Sequence, residues 1–325
     1  MLTGHVYTNV YSLPVSFLRR ELSAYFLGLT ISSPLCAIAI SQGIFYYRTY
    51  GQDPRYLKFL VAILVSMDSI RFVFLAHTVY TSAMTLNDVL HHLDRSVTCH
   101  EDVVRQITLM VVEVLGACLA CLVQSAYVMR IWHMSDRNKP LAGSIALASI
   151  CQFGACLAEI GGLIFEASGQ GKGLCSFGGP FDTTEASNLL NQINIVSRYT
   201  QLGGNLMSDA LITASMVYYF KVGLRGTNFF GTRNILNRLI DYVLTIGLIT
   251  SILSIVSFAV FGASQDSQLY FPLIHFMICN VYVNSFLVSL NWRMGLRRAG
   301  LVSSVADPLT TRSHLEFATR NSDTA

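Results

Sequence analysis

Seven long apolar stretches constrain this chain more than any other feature of its sequence. A helix rises about 1.5 Å per residue, so roughly 20 apolar residues cross a hydrocarbon core of roughly 30 Å. Only 13% of the residues are charged, against about 25% in a typical soluble chain. The ten-residue alternating pattern of a membrane β-barrel does not occur. The sequence therefore predicts an all-α, polytopic membrane protein, a seven-transmembrane-helix bundle with spans at about 24–47, 57–80, 108–130, 141–165, 194–219, 239–262 and 270–291.

The lysines and arginines outside these spans predict the orientation of the bundle. Fifteen of them fall on one side of the membrane and five on the other. Because cytoplasmic loops carry the excess of positive charge, we expect the N-terminus outside and the C-terminus inside. The predicted divisions are an extracellular N-terminus at 1–23, a transmembrane domain at 24–291 and a largely disordered cytoplasmic tail, rich in Ser and Thr, at 292–325.

This distribution of charge also indicates where the protein lies and what it contacts. The expected location is the plasma membrane, as a multi-pass protein in contact with the lipid bilayer. The short, basic inner loops predict a cytoplasmic signalling partner. The basic residues are not clustered with aromatic side chains, so we expect no contact with nucleic acid.

Two of the eight cysteines lie in predicted outer loops, where disulfides form. Cys99 precedes span 3, and Cys175 lies between spans 4 and 5. A bond between them would hold the outer loop against the bundle; the alternative is two unrelated thiols. The outer loop at 91–102 contains histidines and acids, but without the ligand spacing of a metal site, so we expect no metal there.

Ionisable side chains inside the predicted spans are the candidate functional residues, since charges in hydrocarbon are costly and usually face the bundle interior. Asp68 and Arg71 lie one turn apart in span 2 and are expected to pair. Six residues are predicted to line a ligand pocket open to the outside: Arg71, His77, Glu113, Glu159, Arg198 and His275. Four deeper residues are predicted to form a polar centre: Asp68, Asp209, Asn280 and Asn284. The alternative interpretation is structural polar contacts between helices, worth about 0.6–2 kcal/mol each.

Several strings resemble a known family. They are "LKFLVAILVSMDSIRFVFLAHTVY", "VQSAYVMRIWHMS", "SDALITASMVYYF", "NRLIDYVLTIGLITSILSIVSF" and "NVYVNSFLVSLNWR". They are similar to fungal, basidiomycete seven-helix membrane proteins that carry the domain of unknown function 6534. The resemblance implies architecture and membrane location but no chemistry. It singles out seven positions in the matching strings as structural or switching candidates: Asp68, Arg130, Asp209, Asn237, Arg238, Asn284 and Arg293.

Other seven-helix classes are disfavoured by particular residues. A retinal protein needs a lysine in span 7, but the last lysine of the chain is Lys221. A rhodopsin-type receptor carries an acidic residue before the arginine that ends span 3, whereas Met129 precedes Arg130 here. We expect no catalytic activity and no cofactor. The predicted function is a receptor-like sensor or binder of an extracellular small molecule; the alternative is a transporter, or an ion or proton channel, that uses the buried charges.

Overall fold

A computed structural model describes residues 15–91, 95–135, 138–169, 184–225, 230–263 and 273–291. Within these ranges the chain forms seven helices and no strand, which confirms the predicted all-α class. Each predicted span lies within one helix, except that the first three residues of span 7 are not described. The helices are α1 Val15–Thr49, α2 Arg55–Leu90, α3 Arg95–Met134, α4 Lys139–Gly169, α5 Thr184–Arg225, α6 Phe230–Ala263 and α7 Leu273–Asn291.

Five of the described helices are long and apolar enough to cross a membrane, namely α1, α2, α3, α4 and α7. Helix α6 contributes a shorter apolar stretch, Gly247–Ala263. Large apolar side chains point away from the bundle; Ile150, Tyr56 and Val73, for example, are each about two thirds exposed. Such surfaces are unusual in soluble proteins but match a hydrocarbon surrounding. The chain therefore has the architecture of a multi-pass membrane protein.

Helix α7 forms the centre of the bundle. In it 67% of the span is buried, against 28% to 39% in the other four apolar helices. The main apolar core is built around this helix and includes Val283, Phe286 and Leu287, all at most 1% exposed. Residues of α1, α2 and α3 complete the core. The remaining helices pack mainly against their neighbours in sequence, and α3 also contacts α5. Side chains of α7 consequently reach several other helices.

Asparagines on one face of α7 join it to α1. Spacings of four and seven residues place them on the same side of the helix. Each donates an amide hydrogen to a main-chain carbonyl of α1: Asn280 to Ser32 at 2.9 Å, Asn284 to Leu35 at 2.9 Å and Asn291 to Gln42 at 3.1 Å. Tyr50 directly follows α1, and its hydroxyl donates a hydrogen bond to the main-chain carbonyl of Asn291 at 2.7 Å. The predicted shared face of Asn280 and Asn284 is thus used for helix packing.

Replacing Asn284 with alanine is expected to lower the free energy of unfolding by about 0.6–1.7 kcal/mol, from the mean to the maximum measured for hydrogen bonds between membrane helices. The variant loses the hydrogen bond from Asn284 to the main-chain carbonyl of Leu35, and that carbonyl remains in α1. Thermal unfolding in detergent measures the change. Ser41→Ala is the matched control, because the Ser41 hydroxyl is exposed and bonds only within its own helix. Equal melting temperatures for the two variants would show that the asparagine contact contributes nothing.

Some predictions fall outside the described residues. Cys175 and the tail 292–325 are among them, and the side chain of Cys99 is not described either. The disulfide and the disordered tail therefore stay predictions. At the other end, α1 begins at Val15, so the predicted extracellular segment 1–23 ends in helix rather than in a loop.

Candidate functional site

Four of the predicted pocket residues come together from four different helices. Glu113 of α3, Glu159 of α4, Arg198 of α5 and His275 of α7 form what we call the outer cluster. Arg198 pairs with Glu159, and its Nη1 lies 3.9 Å from Oε2 of Glu113. Nε2 of His275 lies 3.1 Å from the same oxygen. A chain of polar contacts therefore links α4, α5, α3 and α7.

The outer cluster is only partly buried. The side chains of Glu159, Arg198 and Glu113 are 13%, 19% and 21% exposed, and His275 is 8% exposed. An ionised group that reaches the surface of a membrane span is costly in hydrocarbon, so such groups normally face water or protein. Two carboxylates oppose one guanidinium, which leaves a net charge of −1 when the histidine is neutral. The cluster thus combines partial access with an excess of negative charge.

A glycine explains how α3 and α7 come close enough for this contact. Gly116 lies one turn below Glu113, and a Cβ at its position would lie 3.0 Å from Sγ of Cys279. The same Cβ would lie 3.8 Å from Nε2 of His275. Alanine at this position would require the Cys279 side chain or α7 to shift by a few tenths of an ångström. Gly116 therefore leaves room for α7 beside the contact between His275 and Glu113.

The other two predicted pocket residues do not join the cluster. Nη2 of Arg71 bonds Oδ1 of Asp68 at 3.1 Å, and both side chains are 1% exposed. In the part of the chain that the structure describes, this is the one ion pair of Arg71. His77 lies on the exposed face of α2, with its ring 6.5 Å from that of Tyr80. Of the six predicted residues, four thus form the cluster, Arg71 is buried in an ion pair with Asp68, and His77 lies on the surface.

The four residues of the predicted polar centre are likewise distributed over separate contacts. Asp68 pairs within α2, whereas Asn280 and Asn284 bond the main chain of α1. Asp209 of α5 accepts a hydrogen bond of 2.6 Å from the hydroxyl of Tyr282 on α7. These contacts do not form one cluster, because the partner of Asp68 lies on its own helix, the partners of the two asparagines lie on α1, and the partner of Asp209 lies on α7.

Asp209 also borders a cavity of about 40 Å³ between α3, α5, α6 and α7. Gln124, Thr250 and Tyr282 are among the other residues of its wall. Along α5, Asp209 lies eleven positions beyond Arg198, which corresponds to roughly 16 Å along the helix axis. The cavity is therefore distinct from the outer cluster and lies deeper in the bundle.

Amide side chains join three helices at the depth of the cavity, whose wall includes Gln124. Nε2 of Gln124 on α3 donates to Oε1 of Gln152 on α4 at 3.1 Å and to the hydroxyl of Ser208 on α5 at 2.8 Å. Further inward, Arg130 donates to the hydroxyl of Ser289 at 2.8 Å. Polar contacts of α3 with its neighbours thus continue from the outer to the inner part of the bundle.

Several of these residues were missed by the sequence analysis. Gln124 and Gln152 are amides inside apolar stretches, and the criterion applied to Asn280 would have selected them. An ion pair between Glu21 and Arg105 at 2.7 Å, with Tyr25 donating to the same carboxylate at 2.9 Å, joins α1 and α3. Glu21 was placed outside the first span because the apolar stretch begins after it, and nothing in the sequence indicated its partner.

One comparison with known proteins found a similarity. The model of a family described as "Family of unknown function (DUF6534)" matches residues 205–295. The matched segment, less than a third of the chain, contains Asp209, His275 and Tyr282. It confirms the predicted domain resemblance over the later part of α5 and over α6 and α7. No curated protein and no solved structure matches the chain.

Proposed function

We propose that this protein is a receptor-like membrane protein that binds a small polar molecule from outside the cell at the outer cluster. The observation that carries this proposal is the meeting of Glu113, Glu159, Arg198 and His275 from four helices while three of them keep 13% to 21% exposure. A purely structural network gains by being closed to water or lipid. A partly open network keeps charged groups available to a ligand.

The helices that carry the cluster support a coupling to the rest of the bundle. His275 lies on α7, which is the most buried of the apolar helices and bonds α1, α3 and α5. A ligand that replaces the contact between Glu113 and His275 would change the forces between α3 and α7. An equilibrium between two arrangements of a bundle shifts only when the ligand binds them with different affinity. The cluster is built by four helices, so a change in their packing would change the affinity for a ligand bound there.

The orientation and cellular context belong to the same proposal. We place the N-terminus outside and the C-terminus in the cytoplasm, with α5 and α6 also spanning the membrane, and the plasma membrane of a fungus as its location. The asymmetry of the lysines and arginines supports the orientation. The match to residues 205–295 supports the family. A signalling partner would then meet the basic inner loops.

The proposal is tested by the melting temperature of the purified protein in detergent against a panel of small amines, amino acids, sugars and lipid precursors. A ligand that binds the folded state raises the melting temperature, and the stabilisation grows with the logarithm of one plus the ratio of ligand concentration to Kd. We expect at least one compound class to produce such a rise. Glu159→Gln, which removes the charge that Arg198 faces, is expected to abolish it.

Glu21→Gln is the matched control for this experiment. It removes a carboxylate of similar exposure, 16% against 13%, from an ion pair outside the cluster. The control is expected to keep the full ligand response. A response that survives Glu159→Gln but disappears in Glu21→Gln would refute the outer cluster as the binding site. An absent response to every class in wild type would argue for a structural network.

The second candidate function is transport of an ion or a proton. The observation that favours it is the sequence of polar contacts inward of the cluster, from Gln124 to the cavity at Asp209 and on to Arg130. A transporter or channel needs such a path through both halves of the membrane. Reconstitution in liposomes with a pH-sensitive or sodium-sensitive dye tests this directly. Flux that Asp209→Asn stops would favour transport over sensing.

A further inference from the structure

Asp209 is a buried carboxylate without a charged partner of its own. It is 5% exposed, and within the described part of the chain no Lys, Arg or His lies within ion-pair distance of it. Arg130 is the cation on the inner side of the cavity, and it donates to Ser289 and lies against the rings of Tyr127 and Phe286 instead. An ionised carboxylate in such surroundings is strongly disfavoured unless something neutralises it.

The contact with Tyr282 occupies one oxygen of the carboxylate as a hydrogen-bond acceptor. The phenol donates to Oδ2 of Asp209 at 2.6 Å. The groups that face Asp209 from the other helices are the neutral side chains of Gln124, Thr250 and Tyr282. The chain supplies no cation here, so either a proton or a cation from solution neutralises the carboxylate, and only a cation would also use the neighbouring oxygen atoms.

The wall of the cavity presents oxygen atoms. Gln124 uses its Nε2 for Gln152 and Ser208, so its Oε1 is the atom left over, and this oxygen is buried and has no hydrogen-bond partner among the described residues. The hydroxyl of Thr250 lies on the same wall, opposite α5. Carboxylate, amide and hydroxyl oxygens are the ligands that hard cations prefer. An unused amide oxygen beside an unpaired carboxylate is the arrangement that a small cation completes.

The size of the cavity limits what it can hold. A water molecule needs about 10–15 Å³ measured in the same way, so about 40 Å³ admits a small ion with about two waters. Organic cations are too large. A divalent ion would need more than one carboxylate to be neutralised in a buried site, and the described wall has only Asp209.

We propose that the cavity at Asp209 is a binding site for a monovalent cation of about the size of sodium. Asp209 supplies the charged ligand, Gln124 Oε1 and the Thr250 hydroxyl supply neutral oxygen ligands, and water completes the coordination. The cation neutralises Asp209 and links α5 to α3 and α6. The site is separate from the outer cluster and does not depend on the function proposed there.

The test is the melting temperature of the full chain in detergent as sodium chloride replaces N-methylglucamine chloride at constant ionic strength. N-methylglucamine carries the same charge but exceeds the volume of the cavity. We expect the melting temperature of wild type to rise by several degrees between about 1 mM and about 150 mM sodium. Asp209→Asn, which keeps the shape but removes the charge, is expected to abolish the sodium response.

A second variant keeps the proposal testable if Asp209→Asn fails to fold. Thr250→Val removes one neutral oxygen at nearly constant volume and is expected to raise the sodium concentration at half-effect several-fold. Glu159→Gln is the control for the outer cluster and is expected to keep the full response. A melting temperature of wild type that is the same in both salts would overturn the proposal. A sodium response that Asp209→Asn retains and Glu159→Gln abolishes would also overturn it.

Discussion

Asp68→Asn is expected to lower the free energy of unfolding by about 3–5 kcal/mol, the range for removal of one partner from a buried ion pair. Asparagine keeps the shape of the side chain and an oxygen acceptor, so the effect comes from the lost charge. Arg71 would then be a cation at 1% exposure that has lost the carboxylate one turn away on its own helix. Its Nε and Nη1 already have no hydrogen-bond partner among the described residues, so the guanidinium has little else to compensate the loss.

A double variant separates the pair from the environment of α2. Asp68→Leu with Arg71→Met replaces the two charges with apolar groups of similar volume and is expected to be markedly more stable than Asp68→Asn. Denaturation in mixed detergent micelles gives the free energies for both variants and for wild type. Wild-type stability of Asp68→Asn would mean that another group balances Arg71. Glu113 lies within electrostatic reach of Arg71 and would then be the next residue to substitute.

Gly247→Ala is expected to cost about 1–3 kcal/mol through overpacking at the contact between α5 and α6. The added Cβ would lie 2.8 Å from Cβ of Thr213 and would also overlap its Oγ1 and Cγ2. Rotation of the threonine relieves the contact with its terminal atoms but not with its Cβ, so α6 must move away from α5. The same movement would widen the cavity, since Gly247 and Thr213 both belong to its wall.

Gly154→Ala is the matched control for that substitution. Gly154 also lies inside a helix, but a Cβ there meets no atom within 4 Å, so alanine is expected to be neutral or to stabilise by up to about 1 kcal/mol. Combining Gly247→Ala with Thr213→Ala, which removes Oγ1 and Cγ2, is expected to recover part of the loss. Equal melting temperatures for Gly247→Ala and Gly154→Ala would show that α5 and α6 have room to separate.

The sequence predicts the helices well because their signal is local. About twenty apolar residues must cross the membrane in any arrangement, and each of the seven predicted spans lies within one helix of the described chain, apart from the first three residues of span 7. The sequence also predicts the ion pair between Asp68 and Arg71, because residues three apart lie on the same face of a helix. Contacts inside one helix need no knowledge of the neighbouring helices.

Contacts between helices are less predictable from the sequence. The four residues of the outer cluster were assigned by depth alone, and depth placed His77 with them although α2 turns it outward. Depth also grouped Asp209 with Asn280, which in the bundle bond different helices. The rotation of each helix about its own axis determines which neighbouring helix a side chain contacts. That rotation depends on close approaches such as Gly116 against Cys279, which no pattern in a single sequence reveals.

The central position of α7 has a consequence for how the chain is made. Among the described helices α7 is the last to leave the ribosome, yet α1 bonds it across 248 residues, from Ser32 to Asn280. At a synthesis rate of about 5–20 residues per second, Asn280 is made roughly 12–50 s after Ser32. Until then the apolar residues of α1, α2 and α3 that share the main core with α7 lack this partner. A premature stop codon before α7 is therefore expected to mark the product for degradation rather than to yield a shorter bundle.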